Sequence, residues 1–252
     1  LYFNSHDNTH DIIKSNKLYG KLLMIIAAIL AGGRGERVGG SIPKQLLMLK
    51  ERPVIQWSVD TFHNHGKIDK IIIVSEKASI STIRGIFPES RYPKVSAIIE
   101  GGKERVDSSA KAVFSGDYNT DDIFMIHDAA RPFISPKIID ELIVTAKRHD
   151  ASAVYVPVKD TIAVVENDTI VSIPERKKMF YAQTPQVFRY GLIENAHKNF
   201  ALNGTDGITD DVSLIKSMGH DVYIVNGSEL NFKITTELDY KIAGLLASGG
   251  LV

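Results

Sequence analysis

The sequence predicts a doubly wound α/β domain with a mainly parallel central sheet, and three observations predict it. Short, nearly continuous apolar runs alternate with helix-like segments, the pattern of strands buried on both faces and joined by helical crossovers. The first run breaks straight into a glycine-rich loop, as ligand-binding strand ends do in open α/β sheets. A chain of 252 residues, 44% of them hydrophobic, can also bury one large core, and no internal repeat or low-complexity linker divides it.

In chain order, residues 1–20 are polar and unpatterned, and the opening LYFNS reads as the scar of an expression tag. They are expected to be disordered, with a single domain over 21–252 and a native start near Met24. The run LLMIIAAILAGG (22–33), preceded by Lys17 and Lys21, has the length of a signal-peptide apolar region but is too short to span a bilayer. Because it feeds directly into the glycine loop, 22–30 is read as a buried strand. Further strands are expected at 70–75, 95–100, 123–128, 152–158 and 221–227, and helices at 53–65, 107–116, 135–150 and 209–219. Thr209, Asp210 and Asp211 mark a helix start, and Gly219 its left-handed end. The segment 161–188 breaks the rhythm: VVENDTIVSI reads as a β-hairpin turning on Asn167 and Asp168, inserted as a projecting arm.

Thirty Lys plus Arg balance thirty Asp plus Glu, so no global field argues for nucleic acid or an anionic membrane, and any anion site must be local. The absence of cysteine removes disulfides, thiolate nucleophiles and thiolate metal sites.

Four motifs carry chemistry. In AAILAGGRGERVGGSIPKQLL (27–47), Gly32, Gly33 and Gly35 allow backbone N–H groups to approach a phosphate, while Arg34, Arg37 and Lys44 supply positive charge. The third glycine of a dinucleotide fingerprint is replaced by Val38, and the G-K-[ST] of a P-loop is missing. Clustered cations suit a triphosphate undergoing displacement better than a dinucleotide. In IFMIHDAARPF (123–133), Asp128 ends a strand at the ligand-binding edge of the sheet, where a hard carboxylate suits Mg²⁺; a helix cap is the competing reading. Arg131 could hold a helix start or a phosphate, and His127 reads as a packed core histidine. In EGGKERVDSSAKAVFSG (100–116), Gly101 and Gly102 permit another close approach, and Asp107, Ser108 and Ser109 open a helix either as caps or as ligand contacts. In NFKITTELDYKIAGLL (231–246), Lys233 is expected in a short strand before the capping box TELD, facing an anion or simply solvent.

Taken together, AGGRGERVGGSIPKQ, GGKERVDS, HDAARPF, VKDT, AQTPQVF, TDD and NFKIT fall in the order of one family. Over about residues 22–247 the chain closely resembles the 2-C-methyl-D-erythritol 4-phosphate cytidylyltransferases of non-mevalonate isoprenoid biosynthesis. The resemblance implies a Rossmann-like nucleotidyltransferase fold, CTP and a polyol phosphate as substrates, Mg²⁺ as the divalent metal, and a homodimer exchanging β-arms formed by 159–183. It implies a cytoplasmic protein, or a plastid-stromal one in a eukaryote, with no nucleic-acid or membrane partner. Arg37, Lys44, Lys233 and Arg176 match the family's catalytic residues; Ala31, Gly32, Gly33, Gly102, Lys103 and Ser108 match its nucleotide-binding residues. Asp128 matches the metal and substrate carboxylate, and Arg131, Thr161, Arg176 and Thr209 match substrate-side positions, with Thr161 and Arg176 reaching the neighbouring subunit's site.

The implied chemistry is one in-line displacement at the α-phosphorus of CTP, which needs positioning and charge stabilisation rather than a covalent nucleophile. The nearest alternative is a D-ribitol 5-phosphate cytidylyltransferase making CDP-ribitol. Such relatives tend to carry DRN after the double glycine and TDAC late in the chain, where this sequence has ERVDS (104–108) and TDDVS (209–213), although ILAGG leans the other way. A dinucleotide-dependent oxidoreductase is disfavoured by Val38 and the clustered cations, and a catalytically silent binding protein by the intact Arg37, Lys44, Asp128 and Lys233.

Overall fold

The computed structural model describes residues 23–33, 42–204 and 207–250. The elements follow in order as β1 (Ile25–Ala31), a short β2 and β3 ribbon (Met48–Leu49, Arg52–Pro53), α1 (Val54–Asn64), β4 (Lys70–Ser75), α2 (Ile80–Ile86), β5 (Val95–Glu100) and α3 (Arg105–Val113). After them come β6 (Ile123–Asp128), α4 (Pro136–His149), β7 (Ala151–Pro157), the hairpin β8 (Val164–Glu166) and β9 (Thr169–Ser172), β10 (Phe180–Arg189), α5 (Tyr190–Asn203), α6 (Asp211–Ser217), β11 (Tyr223–Asn226) and α7 (Glu237–Gly249).

Seven strands form one sheet in the order β11-β7-β10-β6-β1-β4-β5. All neighbours are parallel except β10, which runs antiparallel between β6 and β7. All of β1 is buried, and its alternating side chains enter two different cores. Ile25, Ala27 and Ile29 pack with residues of α1, α2 and α4, and Ile26, Ala28 and Leu30 with residues of α3, α5 and α6. That two-sided burial makes the sheet doubly wound and explains the continuous apolar runs.

β10 was not foreseen as a sheet strand. Its pairing with β7 shifts register between Ala182 and Gln186, and Pro185 falls in that break, one of the few places a sheet tolerates a residue without an N–H. Two helix starts also move. α3 begins at Arg105, ahead of the expected 107, because Glu104 and Asp107 cap each other's backbone across the first turn. α6 begins at Asp211, with the Asp210 side chain accepting from Ser213 N. Lys233 stands in an extended segment between a 3-10 turn (Glu229–Asn231) and α7, not in a strand: Ile234 N donates to Ala130 O at 2.8 Å, and the segment joins no ladder.

The hairpin is where the sequence put it. Asn167 and Asp168 both adopt left-handed φ, 47° and 60°, as a two-residue type I′ turn requires. Among the described residues β8 and β9 pair only with each other, and Val165, Ile170 and Val171 are exposed on them. Among the described residues no helix is long and apolar enough to cross a membrane.

Candidate active site

The parallel register brings four strand ends side by side: Leu30 pairs with Asp128, Ala31 with Ser75, and Ser75 with Glu100. A cavity of about 700 Å³ opens directly beyond them, the place where open α/β sheets bind ligands.

On the β1 side, the cavity is lined by Ala31, Gly32 and Gly33. The buried Gln45 donates from Nε2 to Ala31 O at 2.6 Å, tying the PKQ segment back to the end of β1. That tether brings Lys44 into the same cavity, where its Nζ donates to Ile234 O at 3.0 Å. Arg34 and Arg37 lie outside the described residues.

On the β5 side, Gly102, Lys103 and Ser108 line the cavity. Ser108 Oγ accepts from Gly102 N at 3.1 Å, so the hydroxyl shapes the double-glycine loop as well as facing the cleft. A Cβ on Gly102 would fall 2.0 Å from Asp107 Cβ, so the loop can fold onto the start of α3 only without a side chain there.

At the end of β6, Asp128 is nearly buried and caps no helix; the cap of α4 is Ser135. Its Oδ1 accepts from Arg105 Nε at 3.2 Å, its Oδ2 from Lys233 Nζ at 2.8 Å, and Arg131 Nε lies 3.9 Å from Oδ2. Burial alone would push this carboxyl up, but the Arg105 guanidinium and the Lys233 ammonium reverse that and hold it well below the usual carboxylate range. Asp128 therefore presents a permanent negative charge inside a ring of cations. His127 beside it is fully buried, its Nε2 3.1 Å from Arg131 O and its Nδ1 3.1 Å from Thr184 Oγ1. Burial pushes it down to about 4, so it is a neutral core histidine.

Arg131 holds the scaffold beside Asp128: Nη1 donates to Asn231 O at 2.8 Å and Nη2 to Ala182 O at 3.3 Å, which fixes the segment carrying Lys233. Neither it nor Thr161, Arg176 or Thr209 lines the cavity of this chain. Thr161 and Arg176 are exposed on the arm, where Arg176 Nη1 donates to Lys159 O at 3.2 Å, and Thr209 is exposed just ahead of the α6 cap.

Arg105 is a cavity residue that the motifs did not single out. It stands on the first turn of α3 and bridges Asp128 to Asp211, donating from Nη1 to Asp211 Oδ2 at 2.6 Å. Burial works against its charge, and the two carboxylates raise it above the ordinary arginine value. Its sequence neighbours Lys103 and Glu104 give no sign of its partners, which only the long-range fold brings to it. Among the described residues no three His, Cys, Asp or Glu side chains gather as a metal-ligand group.

Comparison with known proteins gives a consistent result. A family model described as 2-C-methyl-D-erythritol 4-phosphate cytidylyltransferase matches residues 25–248. The chain is 38% identical over 231 residues to the 2-C-methyl-D-erythritol 4-phosphate cytidylyltransferase of Lachnospira eligens, covering 90% of this chain and 100% of that one. It is also 38% identical over 225 residues to the bifunctional ribulose 5-phosphate reductase/CDP-ribitol pyrophosphorylase of Haemophilus influenzae, covering 88% of this chain but 48% of that one. Among solved structures, the 4-diphosphocytidyl-2C-methyl-D-erythritol synthase of Anaerococcus prevotii superposes with a TM-score of 0.78 at 26% identity, covering 90% of this chain and 96% of that one.

Proposed function

The chain belongs to the 2-C-methyl-D-erythritol 4-phosphate cytidylyltransferase family, and from that premise we propose how its cleft works. The enzyme transfers the cytidylyl group of CTP to 2-C-methyl-D-erythritol 4-phosphate, giving 4-diphosphocytidyl-2-C-methyl-D-erythritol and pyrophosphate. A phosphate oxygen of the acceptor attacks the α-phosphorus of CTP, and the bond from that phosphorus to the bridging oxygen of the leaving pyrophosphate breaks.

One observation carries this reading: Lys44, Arg105 and Lys233 converge with the ionised, buried carboxylate of Asp128 on one cavity at the strand ends. Such a cleft is built for stabilising charge on transferring phosphates. Ala31, Gly32 and Gly33 on one side and Gly102, Lys103 and Ser108 on the other form the walls for the nucleotide. Lys44 and Arg37 are assigned to the triphosphate, and Lys233 to the phosphates on the acceptor side.

Asp128 is the residue that would hold Mg²⁺. It is ionised, faces the cavity and has no cluster of further ligands around it among the described residues, which suits a cation that completes its shell with phosphate oxygens and water. Bound there with the nucleotide, the ion would offset the negative charge of the phosphates.

The chain is read as one domain over 21–252 with 159–183 as a dimerisation arm. The exposed apolar residues of β8 and β9 support a second copy as the arm's partner, and Thr161 and Arg176 would then reach the partner's polyol phosphate. Thr209 and Arg131 are kept as acceptor-side positions. A cytoplasmic setting is proposed because both substrates are charged phosphates that do not cross a bilayer unaided.

D-ribitol 5-phosphate is the second acceptor to consider, on the strength of the Haemophilus influenzae relative. A steady-state screen decides between them: CTP, ATP, GTP and UTP against each polyol phosphate, with and without Mg²⁺, reading pyrophosphate release. Turnover with CTP and methylerythritol phosphate, dependent on Mg²⁺, is expected. Preference for ribitol phosphate would move the acceptor, and turnover with no CTP-dependent pair would overturn the reading.

A further inference from the structure

Behind the cavity lies a second carboxylate that no substrate can touch. Asp211, at the start of α6, is fully buried. Its Oδ2 takes the hydrogen bond from Arg105 Nη1 at 2.6 Å, while its Oδ1 accepts from Ser109 Oγ on α3 and lies 3.3 Å from His197 Nε2 on α5. Ser109 Oγ and His197 Nε2 are themselves 3.2 Å apart, so three groups from two other helices, Arg105 and Ser109 on α3 and His197 on α5, meet at this carboxylate. Its backbone is held as well: Gln186 Oε1 on β10 accepts from Asp211 N at 3.0 Å and from Val212 N at 3.3 Å.

Such a degree of fixation is more than docking a seven-residue helix requires, and it points at one output. Arg105 has a planar guanidinium whose donors leave in set directions, so pinning Nη1 on Asp211 also sets where Nε points. Nε holds Asp128 Oδ1, leaving Oδ2 toward Lys233. Arg105 Nη2 is buried without a hydrogen-bond partner among the described residues, and Arg105 lines the cavity.

We propose that Asp211 is a positioning residue, which through the Arg105 guanidinium sets the orientation of the Asp128 carboxylate at the reacting phosphates. Ser109 and His197 complete the relay by fixing Asp211 from behind. The proposal rests on the cytidylyltransferase reading of the cavity. It makes the TDD motif a support for catalysis that acts from outside the cleft.

The test is a double-mutant cycle on the full chain. Asp211→Asn keeps the shape and removes the charge; Arg105→Lys keeps a charge but cannot bridge two carboxylates in fixed directions. Each single variant is expected to lower kcat by about 10- to 100-fold, the range for losing a group that orients an active-site ligand, with KM for CTP changed by less than about threefold. Because both cut one line, the double variant should fall no further than the worse single variant. A folded Asp211→Asn enzyme with wild-type kcat, or losses that multiply in the double variant, would overturn the proposal. If Asp211→Asn fails to fold, Ser109→Ala reads the same relay: a severalfold lower kcat at unchanged KM supports it, and wild-type kcat overturns it. Wild-type protein assayed alongside separates the two levels, since a wild-type chain that makes no CDP-polyol would overturn the functional reading and this proposal with it.

Discussion

At the strand ends of β1, β5 and β6, the buried Asp128 is interlocked with half-buried cations; on the arm, the charges around Glu175 are exposed and paired with near neighbours. Asp128 shares its charge among its near neighbour Arg131 and two cations from distant parts of the chain, Arg105 and Lys233. On the arm, Glu175 pairs with Lys177 and Lys178, and all three are open to solvent. Exposed pairs of that kind contribute little, whereas buried ones impose an arrangement and are costly to break. The lesson is a division of labour. The cleft holds its charged groups in place without a ligand, while the arm carries Thr161 and Arg176 on an exposed surface that, in the proposed dimer, the partner would complete.

The largest effect expected from breaking that comparison is in the cleft. Lys44→Ala should lower kcat/KM by at least roughly 10²-fold, the scale for removing one preorganised electrostatic group, as read by steady-state pyrophosphate release. A near wild-type rate would remove Lys44 from the site. The arm is expected to show an intermediate effect with a different signature. Arg176→Ala should lower activity by tens of fold yet be rescued on mixing with Lys44→Ala, because in a shared-site dimer about a quarter of sites regain both groups once subunits exchange at equal amounts. Exchange without recovery would show that Arg176 acts within its own chain or not at all.

The smallest effect concerns acid stability, and its sign follows from burial. Asp128 and Asp211 are both held below their usual range against the opposing pull of burial, chiefly by Arg105. A carboxylate depressed in the folded state contributes stability above its unfolded value, and that contribution fades as pH falls toward its folded value. His127 adds in the same direction: buried neutral at about 4 against an ordinary 6.5, it costs stability as pH drops through that interval. The midpoint of thermal unfolding should therefore decline from pH 7 toward pH 4. His127→Gln should flatten the slope between 6.5 and 4, whereas Glu175→Gln on the arm should leave the profile unchanged. An equal change from both would erase the distinction between the regions.

Much of this was legible in the sequence where a signal is local. The glycines after β1, the strand ending in Asp128, the hairpin turn at Asn167 and Asp168 and the α7 capping box each announce themselves within a few residues. Cleft residues found this way include Ala31, Lys44, Gly102, Ser108 and Asp128. What was hidden depends on contacts between distant segments. Arg105 and Asp211 are 106 residues apart, and nothing near either marks them as partners. β10 was masked by Pro185, which looks like a strand breaker until the register shift accommodates it. Lys233 was placed in a short strand, yet its segment joins no ladder and is held by Ile234 N on Ala130 O, Lys44 on Ile234 O and Arg131 on Asn231 O.

The most direct test of the central claim is a crystal structure of the chain with CTP and Mg²⁺. The triphosphate is expected in the cavity beyond β1, β5 and β6, with Lys44 within hydrogen-bond reach of its phosphates and Asp128 beside the metal. A nucleotide bound elsewhere, or phosphates out of reach of Lys44, Lys233 and Asp128 alike, would contradict it.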